Sequence, residues 1–212
     1  MKNRFYPIAA LLIFAFAAEA QETVVVYPER IHVGLKIGAN YSNVYDAQGQ
    51  SFIANPKLGF AAGAFLSIPI VPFIGIQPEV LFSQKGFQAT GDILGATYNL
   101  TRTTNYIDVP LFITLKPVHM LTIMAGPQYS YLTKQTDVFA TATTSIVQEQ
   151  EFENDNLRKN TLCFAGGADI NLQELVLSGR MGWDLLNNNG NGTSTTPRYK
   201  NAWYQFTIGI RF

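Results

Sequence analysis

Seven ionisable residues sit inside runs that are otherwise apolar or built of small side chains: Lys36, Glu79, Asp108, Asp169, Arg180, Asp184 and Arg211. Acids and bases sharing one strand face can pair with one another, line a path for ions, or pass protons in catalysis. An unpaired charge in a narrow, partly dry interior is costly, so pairing is the first expectation. The expected network centres on Glu79 and Arg180, with Lys36, Asp108 and Arg211 as its other members. Spacing alone leaves the individual partners open.

Other chemistry has little to stand on. The chain has one cysteine, Cys163, and two histidines, His32 and His119, so no Cys/His cluster with metal-ligand spacing can be drawn. There is no phosphate-cradling glycine loop before a helix and no G-x-S-x-G elbow. The acidic stretch Glu149-Gln150-Glu151-Phe152-Glu153-Asn154-Asp155 does not match a calcium-loop spacing and reads as a solvated loop. No catalytic, cofactor-binding or metal-binding residue is therefore expected, and the chain reads as a non-enzyme.

The charges sit in segments whose apolar period is two, each roughly 10 residues long, as in a tilted membrane strand. Eight such segments are expected, over 32–41, 57–68, 73–87, 103–116, 120–132, 161–170, 175–186 and 201–212. In the first, Val33, Leu35, Ile37, Ala39 and Tyr41 oppose Gly34, Lys36, Gly38 and Asn40. Pro78 and Pro110 interrupt the third and fourth, where a missing N–H weakens a ladder. Connections 42–56, 88–102, 133–160 and 187–200 are long and polar, whereas 69–72, 117–119 and 171–174 are short. Long loops on one side with tight turns on the other suit an outer-membrane barrel.

Residues 1–20 read as a cleaved signal peptide: Lys2 and Arg4, an apolar stretch from Ile8 to Ala18, then Ala18-Glu19-Ala20 before Gln21. Residues 21–31 then form a short periplasmic segment and 32–212 the barrel domain. A single cysteine supplies no intramolecular disulfide, so an exported chain of this size needs a core, a closed sheet or a bilayer.

Composition separates the two faces. Charged residues are 14% and aromatics 13% of the 212 residues, with a formal net charge of zero, which leaves no footprint for nucleic acid. The non-apolar face is mainly Gly, Ala, Ser, Thr and Gln. It would serve poorly as a water-facing exterior but fits the crowded lumen of an eight-stranded barrel. The apolar face then meets outer-membrane lipid. Aromatics near strand ends, Tyr41, Phe73, Phe87, Tyr106, Tyr129, Tyr131, Trp183 and Trp203, are candidates for interfacial girdles.

Four segments, GLKIGANYS, IQPEVLFSQKGF, YIDVPLFITLKP and AGPQYSYL, resemble the Bacteroidota outer-membrane β-barrel proteins of the PorT-like or porin-family group. The second and third are the most specific, because they place Glu79, Asp108 and both in-strand prolines as that group does. The terminal WYQFTIGIRF is similar to the aromatic-ended last strand read by the barrel-assembly machinery. The resemblance implies an all-β, eight-stranded up-and-down barrel in the outer membrane of a Gram-negative bacterium. It implies a fold and a place more than an activity. Three roles stay open: an envelope scaffold that engages a protein partner, with a secretion-associated member of the group as one precedent; a narrow pore for ions or small solutes; and a soluble lipocalin-like barrel.

Overall fold

A computed structural model describes residues 30–48, 53–93, 96–140, 145–150, 158–188 and 198–212. The expected signal peptide and nearly all of the 21–31 segment lie outside the described residues, as do 151–155 of the acidic stretch and 189–196 of the loop before the last strand.

The described residues form nine strands: β1 (His32–Gln48), β2 (Ile53–Val71), β3 (Ile74–Ile93), β4 (Ala96–Val118), β5 (Leu121–Ala140), β6 (Ser145–Gln150), β7 (Asn160–Leu172), β8 (Leu175–Asp184) and β9 (Arg198–Arg211). Eight of them close an antiparallel ring in the order β1-β2-β3-β4-β5-β7-β8-β9, with β9 returning to β1. The closing ladder runs from Gly34 opposite Arg211 to Tyr45 opposite Lys200. β6 stands outside the ring and pairs with the far end of β5, from Gln135 opposite Gln150 to Ala140 opposite Ser145.

Side chains alternate across this wall. Leu35, Ile37, Phe206 and Ile208 are exposed on the outside, whereas Lys36, Asn40, Gln205 and Thr207 are buried in the lumen. Apolar outside and polar inside is the inverse of a water-soluble ligand-binding barrel, and it overturns the lipocalin-like alternative.

Three expectations are corrected. Residues 88–93 and 96–102 are extensions of β3 and β4, whose ladder continues to Ile93 opposite Ala96, with Thr90 Oγ1 donating to Asn99 Oδ1 at 3.0 Å. Much of 42–56 and 133–160 is likewise strand. Beyond the apolar belt both faces of a strand meet polar surroundings, so the period-two signal fades while backbone pairing continues. Third, Phe87, Tyr106 and Trp203 are buried in the lumen. Tyr41, Phe73, Tyr129 and Tyr131 do face outward, and Trp183 packs on Phe164 with ring centroids 5.4 Å apart.

The prolines fall at breaks in the ladders. The β3–β4 register runs to Pro78 opposite Leu111 and resumes at Leu81 opposite Asp108, so the gap spans Glu79, Val80, Val109 and Pro110. Gly86 is a separate irregularity, with φ of 150°, where an added Cβ would collide with the Arg102 carbonyl oxygen. The Ser42 hydroxyl accepts from Gly86 N and donates to Gly86 O, each at 2.9 Å.

The outward set carries a direct test. Ile208 is exposed and faces Ile37 and Leu177 on its neighbours, well inside the apolar belt. Ile208→Arg should cost about 2–4 kcal/mol in bilayer-folding titrations if that position sits near the midplane. An unchanged midpoint would contradict the placement of this face in lipid.

Candidate functional site: a lumen filled by ion pairs

Two residues apart on a strand is one step up the same face, so each lumen-facing set climbs the barrel as a ladder. β3 contributes Gln77, Glu79, Leu81, Ser83, Lys85 and Phe87, all buried. Around it the polar residues form three groups.

The first lies nearest the short turns and centres on Glu79. Arg180, reaching across from β8, donates to both carboxylate oxygens at 2.6 and 2.8 Å. Lys36 Nζ from β1 donates to Oε1 at 2.9 Å and Gln77 Nε2 at 2.8 Å. Asp169 on β7 stands 3.6 Å from Arg180, close enough for an ion pair but longer than a hydrogen bond. The guanidinium carbon lies 4.9 Å from the Phe112 ring centroid, and the Lys36 ammonium 4.5 Å from that of Phe65. Four donors on one carboxylate are what a buried charge requires to offset its lost hydration.

The second group crosses the wall from β3 to β9. Lys85 Nζ is 2.9 Å from Asp108 Oδ2, and the Ser130 hydroxyl donates to Asp108 Oδ1 at 2.5 Å. Ser130 also lies 3.3 Å from Cys163 Sγ, which donates to Asp184 Oδ1 at 3.1 Å. Asn201 closes the row, its backbone N and Nδ2 donating to Asp184 Oδ2 at 2.9 and 2.6 Å. Lys85 also sits 3.6 Å from the Trp203 ring centroid. Cys163 is wholly buried among these groups, so its thiol has no approach for a substrate.

The third group caps the far end of the lumen. Arg102 forks onto Asp137 through Nε and Nη2 at 2.8 and 2.7 Å, and its Nη1 donates to the Tyr199 hydroxyl at 3.0 Å. The Tyr199 and Phe87 rings meet edge to face at 5.3 Å, with Ala89, Val44, Ala54 and Leu100 packed around them.

Of the five residues expected to share one network, Glu79, Arg180 and Lys36 meet, whereas Asp108 and Arg211 do not join them. The β3–β4 register sets Asp108 opposite Leu81, one lumen step above Glu79, where Lys85 takes it. Arg211, at the end of β9, instead donates to the Gln173 carbonyl at 2.8 Å and to Asn171 Oδ1 at 3.3 Å, bracing the short β7–β8 turn. Gln173 is the one non-glycine described residue with positive φ, at 56°. Lys85 lies within the third segment, on the same face as Glu79, and could have been found by following that alternation to the segment's end. Arg102 and Asp137 fell in stretches read as loops. His32 touches the terminal carbonyl of Phe212 at 3.3 Å and His119 is exposed in a turn. No group of three or more potential metal ligands occurs among the described residues.

The model of the outer membrane protein beta-barrel domain family matches residues 18–189. Among solved structures, that of the attachment invasion locus protein Ail of Yersinia pestis, in complex with the heparin analogue sucrose octasulfate, is similar at 12% identity. It covers 87% of this chain and 100% of Ail, with a TM-score of 0.50. Neisserial surface protein A is 8% identical over 86% of this chain and 97% of its own, with a TM-score of 0.44. Pseudomonas aeruginosa OprG is 12% identical over 85% and 95%, with a TM-score of 0.39. No match is found among curated proteins. The family match covers most of the chain, and its ring of eight strands, apolar without and polar within, is the architecture of that family: the chain belongs to the outer membrane protein β-barrel domain family and resides in the outer membrane.

Proposed function

We propose that the protein is a non-enzymatic, non-conducting barrel that serves as an envelope scaffold, engaging a protein partner through the strands and connections that project beyond the membrane. The observation that carries this reading is the filling of the lumen. Three stacked polar groups, each bridged between strands by buried ion pairs, occupy the space a solute would need. A pore requires a continuous wet path. Here that path would run into the Arg102–Asp137 pair and the Phe87–Tyr199 contact at one end and the Glu79 group towards the other.

With the lumen closed, the remaining protein surface for recognition is what stands outside the bilayer. The β3–β4 hairpin and the β5–β6 hairpin extend the sheet past the capped end, which is the outer one if the short turns are periplasmic. The partners in this reading are lipid around the belt, the barrel-assembly machinery during insertion, and an envelope protein. The PorT-like group is the nearer kinship we infer within the family, on the strand positions of Glu79, Asp108, Pro78 and Pro110; a secretion-associated role would be one instance of the scaffold.

Two measurements test the reading. In planar bilayers the purified protein should give no discrete conductance steps. Reproducible ion-selective steps would replace the scaffold with the narrow pore. Glu79→Gln should destabilise the barrel by roughly 3–5 kcal/mol, because Arg180 and Lys36 would keep their charges with only Asp169 left as a buried counter-ion between them. The double variant Glu79→Met/Arg180→Met should recover part of that loss. An unchanged melting temperature for Glu79→Gln would remove the Glu79 group as a structural plug.

A further inference from the structure

The short-turn half of the lumen contains four buried polar atoms that the protein leaves without a hydrogen-bond partner: Asp169 Oδ1, Ser178 Oγ, Thr207 Oγ1 and Arg180 Nε. Each residue is at least nine-tenths buried. Their places on the wall are adjacent. Asp169 stands directly opposite Ser178, and Ser178 directly opposite Thr207, so the three form a row across β7, β8 and β9. Arg180 is one lumen step above Ser178 on the same strand.

We propose that this row is a binding site for ordered water. The atoms are chemically mixed: a carboxylate oxygen that only accepts, two hydroxyls that do both, and a guanidinium N–H that only donates. A cation would meet the Arg180 guanidinium, and an anion would meet the Asp169 carboxylate. The group as a whole is also balanced, with Lys36 and Arg180 against Glu79 and Asp169, so an ion of either sign would leave a buried net charge. Water carries no charge and both donates and accepts, and buried water in proteins typically makes about 3 such bonds. The 3.6 Å between Arg180 and Asp169 fits a pair joined partly through such a molecule.

The site adjoins the Glu79 group through Arg180, whose Nη1 and Nη2 donate to Glu79 while its Nε belongs to the row. Further up, Phe112, Met124 and Ala165 form a buried apolar cluster, with Phe112 against the guanidinium. The water is therefore held and does not pass through. This last step rests on the closed-lumen reading, and the experiment keeps the two apart.

The test is water–protein cross-relaxation in NMR on the full barrel in micelles, labelled with 15N-arginine, observed at the Arg180 Nε–H and paired with conductance of the same preparation. A water cross-peak with the sign of a long-lived bound molecule, and no conductance, is the expected result. Thr207→Val or Ser178→Ala should lower its intensity at least twofold, and Thr207→Ser should retain it. No cross-peak and no conductance would overturn the water site alone. A short-lived water signal with conductance would overturn both the site and the closed lumen. A peak unchanged in the Thr207→Val and Ser178→Ala variants would move the water away from this row and overturn the assignment.

Discussion

The ladder between the first and last strands is the interaction on which the rest depends. In hydrocarbon there is no water to satisfy a free backbone N–H or carbonyl, so a sheet can cross only if its two edges find each other. β1 and β9 do so over the full height of the belt, from Gly34 with Arg211 to Tyr45 with Lys200. Closure then decides the sides. Once the ring exists, every residue of one parity faces lipid and every residue of the other faces a space only a few side chains wide. The same Lys36 that would be tolerated on any soluble surface is here confined to an interior where it must find a carboxylate, and it finds Glu79.

Confinement explains the stacking of the lumen. A single buried pair is weak evidence of stabilisation, because desolvation offsets much of the attraction. A carboxylate with four donors, as at Glu79, or a row passing hydrogen bonds from Asp108 through Ser130 and Cys163 to Asp184, is better matched to the cost. These groups tie strands that are not neighbours: Glu79 on β3 is held from β8 and β1, and Arg102 on β4 reaches Tyr199 on β9. Cross-lumen ties of this kind hold the ring's section fixed. They also fill it, which is why a scaffold follows from the geometry more directly than a channel.

The fold was legible because lipid imposes the plainest pattern a strand can carry. The alternation over 32–41 and 201–212 marks both faces without ambiguity, and the short turns follow from where it restarts. Legibility fails where the lipid ends. Residues 88–93 and 97–102 pair as strand backbone although their sequence, QATGDI and TYNLTR, carries no sustained apolar alternation to separate it from a loop. The lumen charges were visible as a set, since each departs from an apolar background. Their partners were not, because partnership depends on register: the β3–β4 ladder sets Asp108 opposite Leu81, one lumen step from Glu79, and leaves it to Lys85. Aromatic residues were misread for a related reason. Phe87, Tyr106 and Trp203 lie near strand ends as girdle residues do, but their parity turns them inward, where Trp203 and Tyr106 flank the Lys85 ammonium.

The most direct measurement is gel mobility of the protein from washed outer-membrane fractions, compared before and after boiling in SDS. A ring closed by backbone ladders and braced through its lumen should resist SDS until heated, and so migrate differently in the two samples. Identical mobility, with the protein released freely into the soluble fraction, would contradict the closed membrane barrel and with it the account of the lumen.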